Sequence, residues 1–128
     1  MMVTKKLIQT LTVVLFAALS SSANAGGDVE AGRAAYQMRC AACHSVNFNG
    51  IGPSHRGVFD RQAGQASGFQ GYSKALKRSN LVWTESNLDR WLTDPEKLVP
   101  GQAMGINVPE AIVRADLIAY LKSIPATK

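Results

Sequence analysis

Cys40-Ala41-Ala42-Cys43-His44 places two thiols three positions apart and an imidazole directly after the second. Thiols at that spacing sit on one turn of chain and can each add across a vinyl group of a porphyrin, while the adjacent imidazole offers a nitrogen to the iron. The pattern therefore reads as a site for one covalently attached haem c on Cys40 and Cys43, with His44 as the first axial ligand. Other chemistries share the C-x-x-C spacing, but the parts they need are missing. A structural zinc site takes four Cys or His ligands, whereas this chain holds only two cysteines and two histidines, His44 and His55, with no second pair at finger spacing. A thioredoxin-like redox centre sits in a βαβ setting, and none is visible around the motif. In an exported protein two such cysteines could also form a disulfide; the adjacent His44 makes haem the better reading.

Iron in this setting takes a ligand on each face, and the sequence offers Met38, Met104 and His55 for the second. Met38 precedes the motif too closely to reach the opposite face and reads as core filler. Met104 lies about 60 residues downstream in a Pro-Gly loop, far enough to pass around the edge of a flat group. Met104 is favoured over His55, which would give bis-histidine ligation. A thioether stabilises ferrous iron and raises the reduction potential. With both axial positions filled by the protein, outer-sphere electron transfer is the expected chemistry. The second nitrogen of His44 needs a fixed acceptor, and the backbone carbonyl of Pro53 is the nearby candidate.

These residues need elements to carry them. Residues 1–25 resemble a secretory signal peptide: Lys5 and Lys6 precede an apolar run from Leu7 to Leu19, and Ala23-Asn24-Ala25 forms an A-x-A cleavage site. The run is short of the roughly 20 residues that span a membrane. Export to the periplasm with cleavage after Ala25 is expected, leaving one domain over residues 26–128 and no membrane span in the mature form. The whole chain carries 14 basic and 9 acidic residues; without Lys5 and Lys6 the net charge falls to about +3. No basic run points to nucleic acid, and no basic amphipathic helix points to a membrane surface. A domain of this size buries a modest core, so a porphyrin would form a large part of its interior and the apo chain should fold poorly.

A first helix is expected over residues 28–41, capped by Asp28, with Gly32 marking a backbone approached closely by another element. From Ser45 to Asn80 periodicity disappears. Glycines and Pro53 punctuate this stretch, and Val46, Phe48, Ile51, Val58, Phe59, Phe69 and Tyr72 stand as isolated hydrophobes expected to touch a flat apolar plate. Ser73 to Arg78 suits one short helical turn. Thr84 caps a second helix whose Leu88, Trp91 and Leu92 share a face, and Pro95 stops it. Residues 97–105 read as an irregular loop. Pro109 suits the first position of a last helix that runs to Pro125 with an apolar stripe of Val113, Leu117, Tyr120 and Leu121.

Taken in order, Gly27 to Gly32, the Cys40–His44 motif, Gly52-Pro53, Gly64 to Phe69, Trp83, Pro100 to Met104 and Arg114 to Lys122 resemble the class I cytochromes c, the small soluble monohaem type of bacteria and mitochondria. The resemblance implies an all-α fold in which a few helices and long loops wrap one haem and the terminal helices cross, with Gly32 and Tyr36 meeting Leu117 and Tyr120. It implies His44 and Met104 as the axial ligands, Pro53 accepting a hydrogen bond from the His44 imidazole, and Arg61, Tyr72 and Trp83 around the haem propionates. Ordinary aromatic core packing is the alternative for Tyr72 and Trp83. Mitochondrial relatives dock through lysines at the haem edge. Here Ala103 and Glu96 thin that ring while Arg39 and Lys97 retain charge, so the mitochondrial partners, a cytochrome bc1 complex and a terminal oxidase, do not carry over directly. Trp91 stands where these relatives usually have tyrosine.

The leading reading is a monomeric, diffusible periplasmic one-electron carrier, not an enzyme, that docks transiently at its haem edge with donor and acceptor redox proteins. The alternatives are a haem enzyme or ligand sensor whose Met104 is displaced, and the cytochrome subunit of a periplasmic dehydrogenase.

Overall fold

The computed structural model describes residues 26–127, so the expected signal segment lies outside the described residues. Five helices appear in order: α1 (Val29–Arg39), α2 (Lys74–Arg78), α3 (Glu85–Thr93), α4 (Pro95–Leu98) and α5 (Ala111–Ser123). Among the described residues none is long and apolar enough to cross a membrane. The architecture is the expected all-α one, with no strand beyond an isolated bridge among the described residues.

Local chemistry sets the helix ends. The side chains of Asp28, Ser73 and Thr84 each accept a hydrogen bond from the backbone N–H three residues on, satisfying a donor that the first turn leaves open. The structure corrects two of the expected boundaries. Pro95 does end α3, but it also opens α4: Asp94 accepts from the Lys97 N–H at 3.0 Å, and proline at the first position of a helix loses no hydrogen bond. Part of the expected irregular loop is therefore one helical turn. Pro109 precedes the cap of α5, Glu110, instead of occupying its first turn.

The terminal helices cross as expected. An added Cβ at Gly32 would stand 1.9 Å from the Asp116 carbonyl oxygen and 2.9 Å from the Tyr120 Cβ, so only glycine permits this approach of α1 to α5. The Asp28 N–H donates to the Asp116 carboxylate at 2.7 Å, and the Tyr36 and Tyr120 rings meet 5.3 Å apart. Tyr36 and Leu117 are fully buried beneath the crossing. Met38, expected as core filler, is 82% exposed. Two positions beyond Tyr36 is about 200° around the helix, which turns it to the opposite side.

The long loop between α1 and α2 is closed by backbone pairing. Asp60 and Ala63 donate to the carbonyls of Trp83 and Leu81, and Trp83 donates back to Arg61 at 2.9 Å, with an antiparallel bridge between Gln62 and Val82. The segment after α4 is also tied down. Glu96 accepts from the Gly101 N–H at 2.8 Å and from the Gln102 side-chain amide at 3.2 Å, and the Val108 N–H donates to Leu92 at 2.7 Å. Arg114 joins α5 to Asp89 of α3 at 2.7 Å and donates to the carbonyls of Val108 and Pro109.

Gly32→Ala should destabilise the protein by about 2–3 kcal/mol, lowering Tm by roughly 10 °C or more. Gly26→Ala, where nothing lies within 4 Å of an added Cβ, serves as the neutral control. Equal melting temperatures for the two variants would contradict the crossing.

Candidate haem site

The Cys40–His44 motif begins where α1 ends. Cys40 is the C-cap, its N–H and that of Ala41 both reaching the Tyr36 carbonyl, and His44 N–H returns to Cys40 at 2.9 Å. This tight turn delivers Cys40, Cys43 and His44 to one cavity of about 260 Å³ with largely apolar walls. The two thiols are not joined to each other. Burial pushes the Cys40 thiol up to about 11, opposite to the lowered thiolate of redox-active C-x-x-C centres.

His44 is fixed closely. Its Nδ1 lies 2.8 Å from the Pro53 carbonyl oxygen, so Nδ1 carries the proton and Nε2 is left with its lone pair. An added Cβ at Gly52 would fall 2.3 Å from the His44 Cε1. Burial lowers the pKa of this imidazole, and the Pro53 hydrogen bond opposes that shift in part; both the burial and the donated Nδ1 proton suit a neutral metal ligand.

Met104, delivered by the loop that Glu96 anchors, lines the same cavity. Pro53, Arg61, Tyr72 and Trp83 line it too, so the structure brings all the sequence-predicted site residues to one place. Arg61 donates to the carbonyls of Arg56 (2.8 Å) and Ser54 (3.0 Å), while its Nε is buried without a hydrogen-bond partner among the described residues. Burial lowers its pKa, yet a guanidinium stays charged. The Tyr72 hydroxyl accepts from the Ala66 N–H at 3.0 Å, and Tyr72 meets Phe69 edge to face at 4.8 Å. Trp83 is buried and packs edge to face against Trp91 at 5.2 Å, so core packing is part of the role of both Tyr72 and Trp83. Of the isolated loop hydrophobes, Ile51, Val58, Phe69 and Tyr72 reach the cavity as expected. Val46 and Phe59 pack on the core instead, and Phe48 is 68% exposed.

Sequence reasoning missed the place of His55. Half-buried, it lines the cavity, stacks on His44 with ring centroids 4.1 Å apart and 20° between planes, and its Nδ1 lies 3.1 Å from the Tyr36 hydroxyl. Burial, His44 and Arg61 push its pKa down to about 3, so the ring is neutral near pH 7. Burial, with smaller contributions from Cys40 and Tyr120, raises the pKa of Tyr36, so its hydroxyl keeps its proton beside the His55 Nδ1.

Two unjoined thiols, an imidazole with a free Nε2, a thioether and a half-buried guanidinium around one apolar cavity fit a haem, whose ring is apolar and whose acidic substituents need a partner. The fold and site thus define a small all-α protein that carries its porphyrin covalently.

Comparison with known proteins gives the same answer. The family model described as cytochrome c matches residues 29–125. Cytochrome c2 of Rhodoblastus acidophilus is 42% identical over 104 residues, covering 78% of this chain and 95% of that protein. Cytochrome c of Chlamydomonas reinhardtii is 42% identical over 106 residues, 78% of this chain and 92% of that protein. Among solved structures, cytochrome cH from Methylobacterium extorquens superposes with a TM-score of 0.72 at 42% identity, over 76% of this chain and 99% of that one. Ferricytochrome c2 from Rhodopseudomonas palustris gives 0.71 at 32% identity, over 76% and 98%. The chain belongs to the cytochrome c family, with one covalently bound haem c, and is an electron-transfer protein.

A double variant, Cys40→Ser with Cys43→Ser, is expected to lose the pyridine haemochrome band and most of its helical circular dichroism. A haem-free chain that kept its full helix signal would show that the core stands without the porphyrin.

Proposed function

We propose that the protein is an exported, periplasmic one-electron carrier in which His44 and Met104 hold the haem iron and redox partners dock transiently near Ala103 and Ile51. The observation that carries this reading is the single cavity shared by Cys40, Cys43, His44 and Met104, with the His44 Nδ1 committed to Pro53. When bound, the haem supplies one-electron exchange between ferric and ferrous iron.

The chain's own residues do the rest. Pro53 fixes the tautomer of His44 and strengthens its Nε2 as a donor. Met104 supplies a soft thioether that favours the ferrous state. Trp83, Trp91, Leu88 and Leu121 exclude water from the cavity, and a low-dielectric surrounding disfavours the extra charge of ferric iron. Arg61 lines the same space, and its guanidinium suits a propionate. Because Glu96 and Val108 anchor the loop on both sides of Met104, its thioether would be held in place toward a bound iron, which suits electron transfer better than catalysis at an open position.

Of the two cations expected to retain charge at the haem edge, Arg39 and Lys97, the first is paired. Arg39 is held by Glu110 at 3.1 and 3.3 Å, and this contact keeps the carboxyl below its ordinary range. Lys97 then carries more of any electrostatic steering. The apolar Ile51, 81% exposed at the cavity mouth, suits a small transient interface.

Met104→Ala should open the iron to carbon monoxide, abolish the near-infrared methionine-to-iron band of the ferric protein, and lower the potential by on the order of 100 mV, part of the ~0.8 V that axial ligands span. An unchanged spectrum and potential would exclude Met104. Glu96→Ala removes two exposed hydrogen bonds from the Met104 loop, about 1 kcal/mol in all, and should speed capture of added imidazole roughly fivefold. An unchanged rate would show that Glu96 does not restrain the ligand.

A further inference from the structure

We propose that Tyr36 and His55 form a positioning pair for the proximal ligand, His55 setting the plane of the His44 ring and Tyr36 holding His55 in place. This rests on the reading of His44 as an axial ligand.

The argument is geometric. The Pro53 carbonyl holds His44 at one atom, Nδ1, at 2.8 Å. One hydrogen bond leaves a ring free to roll about the line joining donor and acceptor. A second flat ring against its face removes that freedom, and the His55 ring lies there, 4.1 Å away and within 20° of parallel. A stacked ring holds its neighbour only if it is itself held. The Tyr36 hydroxyl reaches His55 Nδ1 at 3.1 Å, and Tyr36 is anchored in turn, 2% exposed beneath the helix crossing with Tyr120 5.3 Å away. The plane of His44 is thus tied through two side chains to the contact between α1 and α5.

Stability alone does not explain the choice of residues. Two hydrocarbon side chains would fill the same space without the desolvation cost of a buried phenol and imidazole. What the polar pair adds is direction: a hydrogen bond fixes the orientation of the His55 ring, which apolar packing leaves loose. The plane of the axial imidazole relative to the porphyrin decides how the unpaired electron of ferric iron is spread over the four pyrroles. It is therefore visible in the haem-methyl proton shifts and in the g-anisotropy of the electron paramagnetic resonance spectrum.

The test uses the ferric holoprotein with haem attached. His55→Ala is expected to change the spread and order of the four haem-methyl shifts and to move the extreme g-value. Tyr36→Phe, which removes only the hydroxyl, should produce a smaller change in the same direction. His55→Phe, which restores a flat ring, should return the pattern toward wild type. If His55→Ala and Tyr36→Phe lower only the melting temperature and leave both spectra as in wild type, the pair is ordinary packing and the proposal fails. Should His55→Ala not fold, Tyr36→Phe decides alone: an unchanged pattern overturns the proposal. Failure of the underlying reading is separately visible, because wild-type protein that binds haem without strongly shifted imidazole ring protons would lack His44 on the iron, overturning both.

Discussion

The approach of Gly32 to the Asp116 carbonyl is the contact on which the site depends. It brings α1 and α5 within backbone distance at a point where any side chain would collide, and it fixes the first and last helices of the described residues against each other. From that crossing α1 runs directly into the Cys40–His44 turn, while α5 contributes Leu117 and Leu121 to the cavity wall. Moving the helices apart by the width of a methyl group would shift the thioether-bearing turn relative to the wall it faces.

The remaining walls come from segments with little secondary structure, held by a small number of specific bonds. The pairing of residues 60–63 with 81–83 closes one loop, and Glu96, Val108 and Arg114 restrain the other. An electron carrier benefits from such restraint, since a ligand set that keeps its geometry in both oxidation states adds little reorganisation to each transfer. The Met104 loop follows the Asp94-capped α4 and is tied on both sides of Met104.

Trp91 packs edge to face with Trp83 at the cavity, in the place where the family resemblance suggests tyrosine. The phenol of Tyr36 instead lies on the His44 side, hydrogen-bonded to His55. Polarity has thus been placed beside His44, with an indole in the position otherwise expected to carry a hydroxyl.

Much of this was legible in the sequence because the signals are local. The C-x-x-C-H spacing, the capping side chains of Asp28 and Thr84, the glycine at 32 and the Pro-Gly loop before Met104 each act within a few residues of where they are read. Two errors had local signals that were misjudged. Asp94-Pro95 is a cap followed by a first-turn proline, and Met38 lies on the far side of α1 from Tyr36. The tertiary structure alone decided the rest. Tyr36 and His55 are 19 residues apart, Arg39 and Glu110 are 71 apart, and nothing in either neighbourhood marks the partner. Such pairings follow from where the helix crossing and the loop closures place the backbone, and only the folded chain specifies that.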